Sequence, residues 1–189
     1  LVFVSRGPQV EVEKAYAFKK DAYDFGLNVT VKNISGAKVS GKPQIAWAEQ
    51  VTRVASGGSS WFMPSQPEDI TLPTCLANDK LEKAEPPKPG APGFRALHEG
   101  RVMWAGSDSR YFLAAIIPLT AGRAGCDLSA DGSGAYASSV YFPPFEIEPG
   151  KAQAFGYRVY AGPKDHGMLQ SIQAGLDLGR RHGCFVSYR

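Results

Sequence analysis

Few residues in this chain have the types and spacing that chemistry needs. "DLSADG", Asp127 to Gly132, opens like a calcium loop, with side-chain oxygens at Asp127, Ser129 and Asp131 and a glycine sixth. The twelfth position should be a bidentate glutamate, but it is Ser138, so the stretch reads as a turn. His98, His166 and His182 lie far apart, and no CxxC pair accompanies them, which argues against zinc. There is no GxSxG elbow and no glycine-rich phosphate loop before a helix. Glu11 with Glu13, and Glu146 with Glu148, are carboxylates two apart on outward strand faces, where they are solvated rather than paired across a cleft. "NVT" at Asn28 and "NIS" at Asn33 match the glycosylation sequon but read as strand and turn residues. No catalytic constellation, metal or cofactor is expected.

Cysteine chemistry is the one open question. Cys75 and Cys126 both sit in turn-like text, "LPTCLAND" and "AGRAGCDLSADG". In an oxidising compartment they can pair and close a loop of about 50 residues, worth ~3–4 kcal/mol in the chain-entropy picture. Otherwise they are two free thiols. Cys184 is left over in the terminal segment.

The elements that would position these groups are mostly strands. The chain has 189 residues, 43% hydrophobic and 21% charged, with Gly 21 and Pro 14, a mixture that favours one domain of many strands and tight turns. A net charge of +3 without a Lys/Arg block excludes a phosphate-binding stripe, so nucleic acid is not expected as a partner. No run of about 18 apolar residues occurs. "QVEVEKAYAF" and "YDFGLNVTVKN" alternate with period two and form a hairpin around "KKDA", with a bulge near Lys14. Phe25, Leu27, Val29 and Val31 share its buried face. "PQIAWAEQV" is a strand with Ile45 and Trp47 inward. The prolines between Pro86 and Pro92 mark an exposed extended loop. Val102 and Trp104 indicate a short strand, followed by a turn at "GSDS". "RYFLAAIIPL" is apolar in both phases and reads as a central strand buried on both faces. "TAGRAGCDLSADGSGA" reads as a glycine-rich loop. "YASSVYF" and "FEIEPGKAQAFGYRVYAG" are strands, the latter split by a Pro149–Gly150 turn. The whole is an antiparallel β-sandwich by pattern.

Helical periodicity appears only at the end. Met168, Leu169, Ile172 and Leu176 form an apolar stripe on a helix of about four turns that starts at an Asp165 cap. That stripe is expected to pack on the sandwich. Gly183 is a terminator, and Arg180, Arg181 and His182 suit the negative end of the helix dipole. The chain divides into a β-sandwich over 1–162 and a C-terminal helical segment over 163–189, which the resemblance described next makes juxtamembrane.

Four stretches carry a family resemblance: "EKAYAFKKDAYDFGLNVTVKN", "GRVMWAGSDSRYFLAAIIP", "YRVYAGPKDHGML" and "LDLGRRHGCF". Together they resemble the large periplasmic domain of bacterial YidC-type membrane protein insertases. The likeness covers roughly residues 10–35 and 101–186. It implies an all-β fold, an antiparallel β-supersandwich of the galactose-mutarotase-like kind with a C-terminal amphipathic α-helix. It also implies a non-catalytic domain on the periplasmic side of the inner membrane, cut from a multi-pass protein and short at its N-terminal side. Implied partners are Sec translocon subunits and nascent membrane proteins, and a weak ligand in a sandwich cleft. Arg180, Arg181 and Phe185 would then lie close to the membrane. The rival is a secreted carbohydrate-binding module using Trp47, Trp61 or Trp104, of which Trp61 is the one to test. A mutarotase-like enzyme would need a histidine acid and a carboxylate base in one cleft, and the sequence offers no such pair.

Overall fold

The computed structural model describes residues 1–50, 71–85, 87, 90–120 and 123–171. Trp61, Val51, Ile172, Leu176, Arg180, Arg181, Gly183, Cys184 and Phe185 lie outside the described residues, as do the side chains of Met168 and His166.

Fourteen strands and one helix are described: β1 (Val2–Arg6), β2 (Val10–Phe18), β3 (Asp24–Asn33), β4 (Val39–Gly41), β5 (Gln44–Gln50), β6 (Leu72–Ala77), β7 (Lys80–Lys83), β8 (Phe94–Gly100), β9 (Val102–Asp108), β10 (Phe112–Pro118), β11 (Ala124–Ala130), β12 (Ala135–Tyr141), β13 (Phe145–Ile147), β14 (Ala152–Pro163) and α1 (His166–Ser171). They form an eight-stranded sheet ordered β1-β2-β3-β14-β10-β9-β6-β7, a four-stranded sheet β5-β12-β11-β8 and the pair β13-β4. All pairings are antiparallel.

The β2–β3 hairpin forms as its alternation dictates, with unbroken register from Val10 opposite Asn33 to Phe18 opposite Phe25. The bulge expected near Lys14 is absent. Val12, Lys14, Tyr16 and Phe18 already share one phase, and Lys14 merely places a polar residue in it. The bulge is in β9 instead: Leu76 faces Trp104 but Ala77 faces Val102, leaving Met103 extra. Through it Met103 and Trp104 both turn to the outer face of the large sheet, while Val102 and Ala105 stay inside.

Two cores result. The inner one lies between the sheets and includes Leu27, Cys75, Ile116, Cys126, Leu128, Val140, Phe142, Phe155, Tyr157 and Val159. The outer one, Leu76, Trp104, Leu113, Ala115, Ile117, Tyr160 and Leu169, lies on the opposite face of the large sheet, where α1 packs. β10 therefore buries both its phases, Ile116 inward and Leu113, Ala115 and Ile117 under the helix.

Cys75 and Cys126 stand, fully buried, in strands β6 and β11, not in turns. A disulfide joins them, with Cα atoms 6.6 Å apart, and ties the large sheet to the small one. Their surroundings look like turn text because small residues and a proline fill these strands. A Cβ on Gly125 would stand 2.1 Å from the Tyr141 ring, so the glycine is there for packing. The turn beside Cys75 is the hairpin tip Asn78–Asp79, where both residues have positive φ, 51° and 62°. Likewise β9 runs on through "GSD", and the chain turns only at Ser109–Tyr111.

Candidate functional site

The site of interest is where the chain leaves β14 for α1. In "YAGPK", Tyr160 to Lys164, the side chains of Tyr160 and Lys164 and the bare Cα of Gly162 each have a physical reason to be there. Tyr160 is 1% exposed, and its hydroxyl donates to the carbonyl of Pro163, closing the last turn of the strand. Burial holds its pKa above the usual phenol range, and Asp165, Tyr23 and Asp24 reinforce the shift. Gly162 leaves room for the Tyr23 ring, which would come within 2.6 Å of a Cβ at that position. Lys164 folds back into the protein. Its ammonium donates to the Ser109 carbonyl at 2.8 Å and contacts the Asp108 carboxylate. Lys83 reaches the other carboxylate oxygen of Asp108 at 2.7 Å. Asp108 is buried at the end of β9, so one carboxylate fastens β7, β9 and the segment leading into α1.

The helix begins on this fastening. The Leu169 amide donates to the Asp165 carbonyl at 3.0 Å, and the Leu169 side chain, 1% exposed, enters the outer core beside Trp104 and Tyr160. The two flanking turns hold the exit from either side, Ala161 donating to the Tyr23 carbonyl and Lys164 to the Tyr111 carbonyl, each at 2.8 Å. Beside them, Arg158 of β14 pairs with Asp24 of β3 at 2.8 Å.

The other candidate groups turn out to be structural. Asp127 is a buried strand residue whose Oδ2 accepts from Arg95 Nε at 2.9 Å and Nη2 at 2.6 Å. Asp131 accepts from the Ser133 and Ala135 amides and from the Ser133 hydroxyl, an Asx turn at the β11–β12 tip. The calcium-like pattern is thus a strand end and a turn; among the described residues no cluster of three metal-ligating side chains exists. Asn33 is 0% exposed: its amide donates to the Ala37 and Ile147 carbonyls, and its oxygen accepts from the Ser35 amide and hydroxyl. A side chain so enclosed is no glycan acceptor. Glu146 and Glu148 together hold Lys38 at 3.1 and 2.9 Å.

A cleft of about 560 Å³ opens beside Glu49, Ser129, Asp131 and Tyr136. Both Glu49 oxygens are engaged, one by the Trp47 indole and one by the Tyr136 hydroxyl, each at 2.6 Å. Burial, and then Glu49, push the Tyr136 pKa upward, so that group stays a protonated donor. Trp47 is half-buried in this network and Trp104 is wholly enclosed, so neither offers a flat exposed face for a sugar. Sequence reasoning missed this network and the Asp108 knot, because each joins residues distant along the chain.

A model of the YidC periplasmic domain matches residues 2–186. The chain belongs to the YidC periplasmic domain family. It is 30% identical over 189 residues to a membrane protein insertase YidC from Syntrophus aciditrophicus, covering 100% of this chain and 33% of the relative. The chain thus spans about a third of the length of the curated relatives it matches. Among solved structures, an α-galactosidase from Lactobacillus brevis superposes with TM-score 0.56 at 8% identity, covering 94% of this chain and 24% of that one. A putative aldose 1-epimerase from Klebsiella pneumoniae superposes with TM-score 0.51 at 6% identity, covering 97% and 55%. At such identities the likeness is one of fold, a galactose-mutarotase-like β-supersandwich. Among the described residues no helix is long and apolar enough to cross a membrane.

Proposed function

We propose that this chain is the extracytoplasmic, non-catalytic domain of an inner-membrane insertase that helps newly made proteins into the bilayer. The observation that carries the reading is the family match over residues 2–186, together with the fastened exit of β14. A domain joined to a membrane core through its C-terminal segment needs a junction that transmits orientation. The Asp108–Lys164 contact, the Tyr160 turn and Leu169 supply one, because they fix the first turn of α1 on the large sheet. The domain's role is accessory: it orients the insertase, contacts the Sec translocon or the extracytoplasmic parts of clients, and links them rigidly to the membrane. In this reading the helix expected from the sequence stops at Gly183, with Ile172 and Leu176 expected on the sandwich and Arg180, Arg181 and Phe185 near lipid.

The test is deletion of residues 1–160 from the full-length insertase, keeping the helix. Insertion of a client measured by protease protection is expected to stay largely intact. Abolished insertion would overturn the accessory role. Crosslinking from the sandwich surface to Sec subunits tests the partnership, and no adduct would remove it.

A further inference from the structure

The end of the large sheet from which the chain leaves gathers exposed aromatic and basic side chains. The β2–β3 turn, 19–23, and the β9–β10 turn, 109–111, flank the exit of β14 and are hydrogen-bonded to it. β3 and β10 are two strand spacings apart, about 10 Å, so the two turns form one surface. On it Phe18, Tyr23, Tyr111 and Phe112 are 62%, 48%, 57% and 61% exposed. Apart from Phe3 on β1, these are the large aromatic side chains most open to solvent among the described residues. Lys19, Lys20 and Arg110 are exposed between them, with Arg110 lying 5.2 Å from the centre of the Tyr111 ring. The carboxylates here leave the count positive: Asp24 is matched by Arg158, Asp108 is outnumbered by Lys83 and Lys164, and the remaining two, Asp21 and Asp165, are fewer than the cations Lys19, Lys20 and Arg110.

Aromatic rings gathered at one end and interleaved with cations are the pattern that suits a bilayer's headgroup layer. Tyrosine rings sit there with an apolar body and a wet hydroxyl, and each nearby Lys or Arg gains from anionic lipid. We propose that this end rests on the surface of a bilayer containing anionic phospholipid, with Tyr23, Tyr111 and Phe112 at headgroup depth and Lys19, Lys20 and Arg110 on the phosphates. The contact rests on the insertase reading above and deepens it. It sets the sandwich strands steeply to the membrane and gives the domain a second hold beside its covalent one.

The experiment is flotation of the 189-residue chain with vesicles of phosphatidylcholine alone or mixed with phosphatidylglycerol. Binding is expected to the mixed vesicles and to fall with salt. The triple variant Lys19→Glu, Lys20→Glu, Arg110→Glu should lose at least about tenfold in partitioning, since one basic residue near such a surface is worth roughly fivefold. The variant Tyr111→Ser, Phe112→Ser keeps the charge and should also bind more weakly; because its sites are exposed, it serves as the check if the charge variant misfolds. Failure of the parent chain to float with anionic vesicles would overturn the proposal. So would undiminished binding by both variants, which would assign the contact to residues 172–189. Flotation uses no client protein, so its failure leaves the insertase reading standing, and the accessory role stands or falls separately in the insertion assay.

Discussion

Asp108 is the residue on which the junction turns, because a carboxylate this buried is tolerable only with partners, and it has two. Removing one member of a buried ion pair strands the other charge, at a cost of about 3–5 kcal/mol in a fully enclosed site. Lys83 retains some solvent, so Asp108→Asn should destabilise by about 3 kcal/mol in urea unfolding. Adding Lys164→Met to that variant should recover part of the loss, since the stranded ammonium goes with it. An unshifted midpoint for the single variant would show that the knot carries no stability. The sequence made Lys164 visible as part of "YAGPK", yet it gave no sign of Asp108, which lies 56 positions earlier in text that reads as a turn. Nor could it show that Asn33, in a glycosylation sequon, is instead enclosed and bonded to β13. What a polar residue does is set by what the fold brings to it, and that information is non-local.

At the scale of elements, periodicity served where side chains were large and failed where they were small. β2, β3, β5 and β10 were legible because Val, Ile, Leu and aromatic residues recur in phase. β6, β8 and β11 were not. β6 and β11 carry Pro73, Gly125, alanines and the two cysteines, and β8 alternates around a charged outer face. Of the helix expected from the sequence, the described residues include His166–Ser171, helical as α1. Its packing is tested at Leu169. Leu169→Ala should cost about 2–4 kcal/mol, the usual range for a leucine truncated in a closed core. Leu169→Asp should release α1 from the sheet, seen as faster amide exchange at Leu169 and along β10. Exchange as slow as in the parent protein would mean that α1 does not depend on this contact.

At the scale of the whole molecule, the alternation of faces announced an antiparallel sandwich but not how its layers are joined. The Cys75–Cys126 bond spans the inner core between the two sheets and closes a loop with a sequence separation of 51. Reduction should cost about 4 kcal/mol by releasing that loop in the unfolded chain. Denaturation with and without reductant reads it as a lower midpoint, and coincident curves would remove the bond from the stability of the fold. β14 is paired along its length, with β3 on one side and β10 on the other, and it ends at the segment that leads to α1. A pull on that segment along the strand axis loads both ladders in shear, so many hydrogen bonds share the tension and none can be unzipped singly. A tether attached there is anchored at the middle of the sheet rather than at its margin. Agitation of whatever is attached there reaches the sandwich as rigid tumbling, with little peeling.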